Sequence, residues 1–380
     1  MMSVLHSRSS NATALFPKAT ALGLLAATLG VAAMTGCSSA PEPITDCRDA
    51  KGIHPICGFQ NPEDMSLLAD GRRLIVSQYG SMTEIEMPGS LAILDLETEE
   101  HRVVYPPPAG SPTPVATPGW GVDQCPGPSL EPFNPHGIDL SVRADGRLQL
   151  LVVNHGGAES IEFFEVLPEP DNVQIVWRGC VVPPFHAFLN DVVSLPNGGF
   201  LATHMMEYGN AMWGMVRSMM GANTGFVYEW HPENGFSMVP GTKSPFPNGI
   251  EVSEDGSEVY LNVYAGNEVW RISRATGELL AKASVASPDN LTWAQDGRLL
   301  VASHTGGLSE QRPCMALESG ACPMSFDIQA LDPITMEGGP IFSNGGAPMG
   351  GGTVAIDVGG ELVIGSFAGD RVIRVPLTEP

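Results

Sequence analysis

Short apolar runs alternate with polar turns along this chain, and six times they follow one plan. The segments are EDMSLLADGRRLIVSQY (63–79), HGIDLSVRADGRLQLLVVNH (136–155), NDVVSLPNGGFLATH (190–204), NGIEVSEDGSEVYLNVY (248–264), DNLTWAQDGRLLVASH (289–304) and TVAIDVGGELVIGSF (353–367). Each opens on polar groups, runs through an apolar strand, turns at a glycine, returns through a second apolar strand and closes on an aromatic or a His. The turn glycines are Gly71, Gly146, Gly198, Gly256, Gly297 and Gly360 or its neighbour Gly359. Repeats of roughly 40–50 residues, each a small antiparallel sheet, predict an all-β, six-bladed β-propeller.

The same pattern predicts where chemistry gathers. A two-residue hairpin turn reverses the chain, so each first strand begins where its partner ends. If the first strands are innermost, Glu63, Asp64, His136, Asn190, Asp191, Asn248, Asp289 and Asn290 ring one end of a central channel. Carboxylates and amides without cysteine suit a hard cation, calcium before magnesium. Taken singly, each Asn or Asp has a simpler reading as a strand opener that satisfies turn amides. Their recurrence in register favours the metal. His136 opens blade two and His155 closes the same hairpin, so the two share one end. Such a pair beside a cation suits general-base activation of water, because imidazole titrates near pH 6.5. The simpler alternative is that both only pack and hydrogen-bond around the mouth. His304 closes blade five in the same register and is expected to line a substrate pocket, while the role of His204 in blade three is left open.

Composition narrows the partners. Gly 44 and Pro 33 suit a chain rich in turns, and Lys+Arg 19 against Asp+Glu 42 gives a net charge of −23. That sign excludes a nucleic-acid partner, since phosphate binding needs cations. It also argues against polybasic docking on anionic lipid. No G-x-S-x-G elbow, P-loop or H-E-x-x-H occurs, which disfavours a serine hydrolase or a zincin.

Residues 1–36 are expected to be a lipoprotein signal peptide. The apolar run ALGLLAATLGVAAM (21–34) is too short to span a membrane and ends in Met34-Thr35-Gly36-Cys37. This tetrapeptide resembles the bacterial lipobox, with Met34 where Leu is usual, and implies lipidation of Cys37. Ordinary signal-peptidase cleavage is the competing outcome. Ser38 and Ser39 stand where an inner-membrane retention Asp would lie, so the resemblance implies an outer-membrane lipoprotein. Residues 37–55 then read as a tether and 56–380 as the propeller. Export permits disulfides; six cysteines remain, and Cys314 with Cys322 forms the evident local pair.

FNPHGIDL (133–140), LLVVNH (150–155), FLNDVV (188–193), PNGIEVSEDG (247–256), PDNLTW (288–293) and VASHTGG (301–307) together resemble the serum paraoxonase/arylesterase family. Gluconolactonase and strictosidine-synthase-like propellers are more distantly similar. The resemblance implies a six-bladed propeller with two calcium ions in its tunnel. It places Glu63, Asn190, Asn248, Asp289 and Asn290 on an outer, catalytic ion. Asp64 and Asp191, with backbone carbonyls near Met65 and Ile138, fall on a deeper, structural one. It implies His136 and His155 as the water-activating dyad of a calcium-dependent hydrolase of lactones or aryl esters. The Met-rich insertion 205–226 lies where the family carries a site-covering segment; a helix packed as ordinary core is the alternative. A sugar lactonase and a non-catalytic, calcium-stabilised binding propeller are the competing functions.

Overall fold

The computed structural model describes residues 41–80, 87–128, 132–169, 172–184 and 186–377. The signal peptide and Cys37 lie outside the described residues. Six four-stranded antiparallel sheets account for the strands. From the inner strand outward, blade one is Pro62–Leu67, Arg73–Gln78, Ser90–Asp95 and His101–Tyr105. The inner strands of blades two to six are Pro135–Val142, Leu189–Ser194, Pro247–Val252, Pro288–Trp293 and Gly352–Asp357. Each inner strand packs beside those of the two adjacent blades, and the first beside the sixth closes the ring. The expectation that first strands are innermost holds.

Burial explains the pattern. Second strands such as Arg73–Gln78 are covered on both faces and read as almost unbroken apolar runs, whereas outer strands such as His101–Tyr105 face water. The core is accordingly divided among the seams. Ile75, Leu91 and Ile93 of blade one meet Ile138, Leu150 and Phe164 of blade two. Phe163 and Leu151 of blade two meet Phe200 and Trp230 of blade three.

Five of the six hairpin turns are longer than the two residues expected; in blade six Val358 N–H donates to Glu361 O at 3.1 Å around Gly359 and Gly360, a two-residue turn. In blade two Gly146 N–H donates to Arg143 O and Arg143 N–H to Arg147 O, both at 2.9 Å, so three residues form the loop. Gly146 then sits at φ 81°, the left-handed position that follows a type I turn in such loops and favours glycine. Chain reversal is unaffected, and the two strand ends still share one end of the blade.

The expected tether needs a larger correction. From Ile44 onward it is bonded into the propeller. The C-terminal part supplies only three strands of blade six, Gly352–Asp357, Glu361–Ser366 and Arg371–Pro376; His54–Cys57 adds the fourth. Without it the last strand would be a bare edge. A Cys47–Cys57 disulfide fastens the segment. The fully buried Arg371 donates to Asp46 O at 2.6 Å, Ile44 O at 3.1 Å and Pro348 O at 3.2 Å. Arg371→Met would strand these carbonyls. Hydrogen bonds from a charged donor contribute about 1.5–3 kcal/mol, and a stability loss of about 3 kcal/mol is expected in the denaturant midpoint. An unchanged midpoint would remove Arg371 from the closure. Cys314 pairs with Cys322 as expected, and Cys125 pairs with Cys180.

Candidate active site

Every inner strand shifts register at its opening. The shifts fall between Pro62 and Asp64, Pro135 and Ile138, Leu189 and Val192, Pro247 and Ile250, Pro288 and Leu291, and Gly352 and Val354. These bulges hold the polar openers. A bulge bends the strand and re-aims its side chains, so neighbours such as Asp289 and Asn290 need not obey the simple alternation of a flat strand. The ring residues Glu63, Asp64, Asn190, Asp191, Asn248, Asp289 and Asn290 are all buried. In blade two the bulge carries Gly137, because a Cβ there would lie 2.6 Å from Asp191 Cα.

Two levels can be distinguished. At the deeper one, Asp64 accepts from Met65 N–H at 2.8 Å and from Ile138 N–H of the next blade at 2.7 Å. Asp191 repeats this with Val192 and Ile250, both at 2.8 Å. These carboxylates staple blade one to two and blade three to four. At the outer level, Asn290 Nδ2 donates to Glu63 Oε1 at 2.9 Å across the channel. Thr353 Oγ1 donates to Glu63 O at 2.6 Å, so blade six positions Glu63 through its backbone.

Glu63 Oε2, Asn190 Oδ1, Asn248 Oδ1 and Asn290 Oδ1 are buried and accept no hydrogen bond. Buried oxygens are normally paired, and four of them in one ring fit the all-oxygen shell of calcium. Among the described residues no three His, Cys, Asp or Glu side chains gather as a metal cluster; the donor set here is largely amide. Burial raises the pKa of Glu63 well above the ordinary carboxylate range, with the Asp64 and Asp289 charges adding to it. Burial also pushes Asp64 and Asp289 up to about 7 and raises Asp191. A dication at this ring would relieve that crowding of negative charge.

Beside the ring, four side chains form a line. His136 Nε2 lies 3.7 Å from Glu63 Oε1. His136 Nδ1 and His155 Nε2 are hydrogen-bonded at 2.9 Å, and His155 Nδ1 meets Glu159 Oε2 at 2.9 Å. Tyr79 packs edge-on against both imidazoles. Burial lowers the pKa of His136 well below 6.5, and a charge on His155 would lower it further. At neutral pH His136 is therefore an unprotonated base, and its titration lies more acid than the sequence suggested.

Residues 60–371 match the family Arylesterase. The chain belongs to this arylesterase family. Human serum paraoxonase/arylesterase 1 is 25% identical over 344 residues, covering 86% of this chain and 87% of that protein. Human serum paraoxonase/lactonase 3 is 23% identical over 317 residues, covering 80% and 82%. Among solved structures, a gluconolactonase from Xanthomonas campestris covers 90% of this chain and 99% of its own at 15% identity and TM-score 0.47. Regucalcin, a calcium-binding protein from Agrobacterium tumefaciens, covers 85% and 92% at 12% identity and TM-score 0.46.

In this arylesterase-family chain the remaining histidines of the register separate. His304 Nε2 lies 3.4 Å from Asp289 Oδ2, and its Nδ1 is hydrogen-bonded to Tyr264 OH at 3.1 Å. Burial pushes its pKa down to about 4, so it stands neutral beside the ring. His204 Nδ1 instead accepts from Phe188 N–H at 3.2 Å, which gives it a structural task. The Met-rich insertion forms a helix, Ala211–Met219. Ala211 and Met215 pack with Met206, Phe246 and Tyr264, while Met212, Trp213, Met219 and Met220 are exposed. It is not simply core: Tyr208 just before the helix contacts Phe188, whose ring meets His155.

Sequence reasoning missed Glu159, Thr353 and a ladder of buried polar residues near the end of each second strand. The ladder is Ser77, Asn154, Thr203, Asn262, Ser303 and Ser366, all fully buried. Asn154 Oδ1 accepts from Asn134 N–H at 2.9 Å, Thr203 Oγ1 accepts from Asp191 N–H at 3.0 Å, and Asn262 Nδ2 donates to Asp289 O at 2.6 Å. They satisfy backbone groups in and around the bulges. The signal was present in VSQ, VNH, ATH, LNVY, ASH and GSF, where one polar residue interrupts each apolar run shortly before its close.

Proposed function

We propose that this arylesterase-family protein is a calcium-dependent hydrolase of lactones and aryl esters in which His136 deprotonates the attacking water. The observation that carries this reading is the ring of four buried, unbonded oxygens with His136 Nε2 beside its only carboxylate among them, Glu63, at 3.7 Å. Glu63, Asn190, Asn248, Asp289 and Asn290 would hold the outer ion, and Asp64 with Asp191 would hold a deeper one near Ile138. Bound calcium supplies a Lewis acid for the ester carbonyl and its developing negative charge.

The protein's own groups do the remaining work. His136 is neutral at pH 7 and free to take a proton at Nε2, while its Nδ1 is tied to His155. His304, neutral beside Asp289, lines the substrate side without adding charge. The exposed Met and Trp side chains of the insertion offer an adaptable apolar wall for esters of differing shape. The test is hydrolysis of a panel of lactones and aryl esters, with calcium and with chelator. Turnover that needs calcium supports the reading, and no turnover by the calcium-loaded protein on any member favours the binding propeller.

We also propose export as a lipoprotein anchored through Cys37, on the strength of Met34-Thr35-Gly36-Cys37 after the apolar run. The mature chain is then expected to begin at Cys37 and to partition into detergent, with an intact mass that includes acyl chains. Cys37→Ser should release a folded protein, since the closure begins only at Ile44. An unmodified mature N-terminus at another residue would contradict the anchor.

A further inference from the structure

The dyad can act as drawn only if its protons sit on particular nitrogens, and one carboxylate decides where they sit. We infer that Glu159 is a positioning residue that fixes the tautomers of His155 and His136 and so leaves the lone pair of His136 on Nε2. This inference deepens the hydrolase reading above and rests on it for its kinetic part.

Both Glu159 oxygens are committed. Oε1 accepts from Leu189 N–H at 2.6 Å, one residue before the bulge of blade three, and Oε2 faces His155 Nδ1 at 2.9 Å. A carboxylate only accepts, so His155 Nδ1 must carry a proton. In the neutral ring, His155 Nε2 is then bare and accepts from His136 Nδ1–H across their 2.9 Å contact. His136 Nε2 is bare in turn. The opposite arrangement would set an unprotonated His155 nitrogen against a carboxylate oxygen at 2.9 Å, whereas the arrangement inferred leaves the bare Nε2 of His136 at 3.7 Å from Glu63 Oε1, beyond hydrogen-bond distance. Distances thus select one chain of protons, running from His136 outward to Glu159. The mechanism loses no proton to it: water gives its proton to His136 Nε2, and Glu159 holds the rings in register to receive it.

Glu159 also ties the loop after blade two's second strand to blade three, so a purely structural role must be separated from a positioning one. Glu159→Gln does this. Its amide oxygen can keep the Leu189 N–H bond, which turns the NH2 group toward His155 Nδ1. That nitrogen must then accept, His155 must carry its proton on Nε2, and His136 Nδ1 must accept. The proton of His136 moves to Nε2, and the base becomes a donor. A matching carboxylate-to-amide change behind a protease histidine leaves the geometry intact and costs about 10⁴-fold in kcat.

Two measurements on the full calcium-loaded protein test this. The first is 15N NMR of protein labelled at histidine, with signals assigned through His136→Gln and His155→Gln, since 15N shifts distinguish N–H from bare ring nitrogens. Wild type should show His155 protonated at Nδ1 and His136 bare at Nε2, and Glu159→Gln should reverse both. The second is kinetic: Glu159→Gln should lower kcat by about 10²–10⁴-fold, the span of a lost general base, with KM and melting temperature near wild type. A wild-type His155 protonated at Nε2 or at both nitrogens would overturn the inference, as would wild-type kcat in Glu159→Gln. Either result leaves hydrolysis by the wild type standing. If the wild type hydrolyses nothing, the hydrolase reading fails on its own, and the NMR result alone decides whether Glu159 sets the tautomers.

Discussion

Stripping calcium is expected to abolish ester and lactone turnover and to lower the melting temperature, and both should return when calcium is restored. The stabilising effect follows from linkage: an ion bound only by the native chain adds about 2.7 kcal/mol at a hundredfold excess over its Kd. For a chain of this size that corresponds to a shift on the order of 3–5 °C. A pH signature should accompany it. Burial pushes Asp64 and Asp289 up to about 7 from 3.8, so the metal-free native chain holds protons that the unfolded chain releases. Their effect on metal-free stability therefore worsens as pH rises through about 7 and levels above it, by on the order of 1 kcal/mol per carboxyl between pH 6.5 and 8. Glu63 and Asp191 shift in the same direction. His136 has a lowered pKa and weakens the fold only as pH falls below 6.5, so it stays out of that window. The chelated protein should thus melt at a lower temperature at pH 8 than at pH 6.5, and calcium should flatten the difference. A metal-free protein whose melting temperature is unchanged, or rises with pH over that range, would contradict the assignment of these carboxylates to a cation.

His136→Gln should cost about 10²–10⁴-fold in turnover while leaving calcium content and fold in place. Glutamine can still donate to His155 Nε2, which keeps the 2.9 Å link in a new form, but it cannot take a proton from water. In the wild type the acid limb of kcat/KM should lie below pH 6.5, because burial lowers the His136 pKa. Turnover should rise with pH through that limb and be flat at neutrality. His155→Gln should give a smaller loss, by misorienting the first imidazole. Full turnover in His136→Gln with calcium bound would remove this residue from the chemistry and shift the base to another group at the ring.

The fold was legible because each hairpin carries its own signal, and the signals repeat. Six glycine turns, each flanked by apolar runs, fix six hairpins, and the polar openers mark which ends face the channel. The ring closure was not legible. His54–Cys57 is a four-residue strand in a segment that reads as a leader-proximal linker, and its place is revealed by partners far away in sequence, the strand Arg371–Pro376 that it pairs with and the bonds from Arg371. The site divides in the same way. Glu63, His136, Asn190, Asn248, Asp289 and Asn290 were found because they occupy one register position. Their burial as adjacent pairs was not expected from alternation, since bulges depend on two strands at once. Glu159 was missed because it stands outside the repeat, four residues after His155, and becomes informative only when the 2.9 Å contact is seen.

The most direct test of the account is to titrate calcium back into chelated protein while reading bound metal and hydrolysis of an active ester or lactone together. Turnover that is absent at zero occupancy and climbs in step with binding at the channel, and that is lost in Asn248→Ala and Glu63→Ala, is the predicted result. Full turnover in the metal-free protein, or calcium binding at full occupancy with no hydrolysis at any concentration, would contradict it.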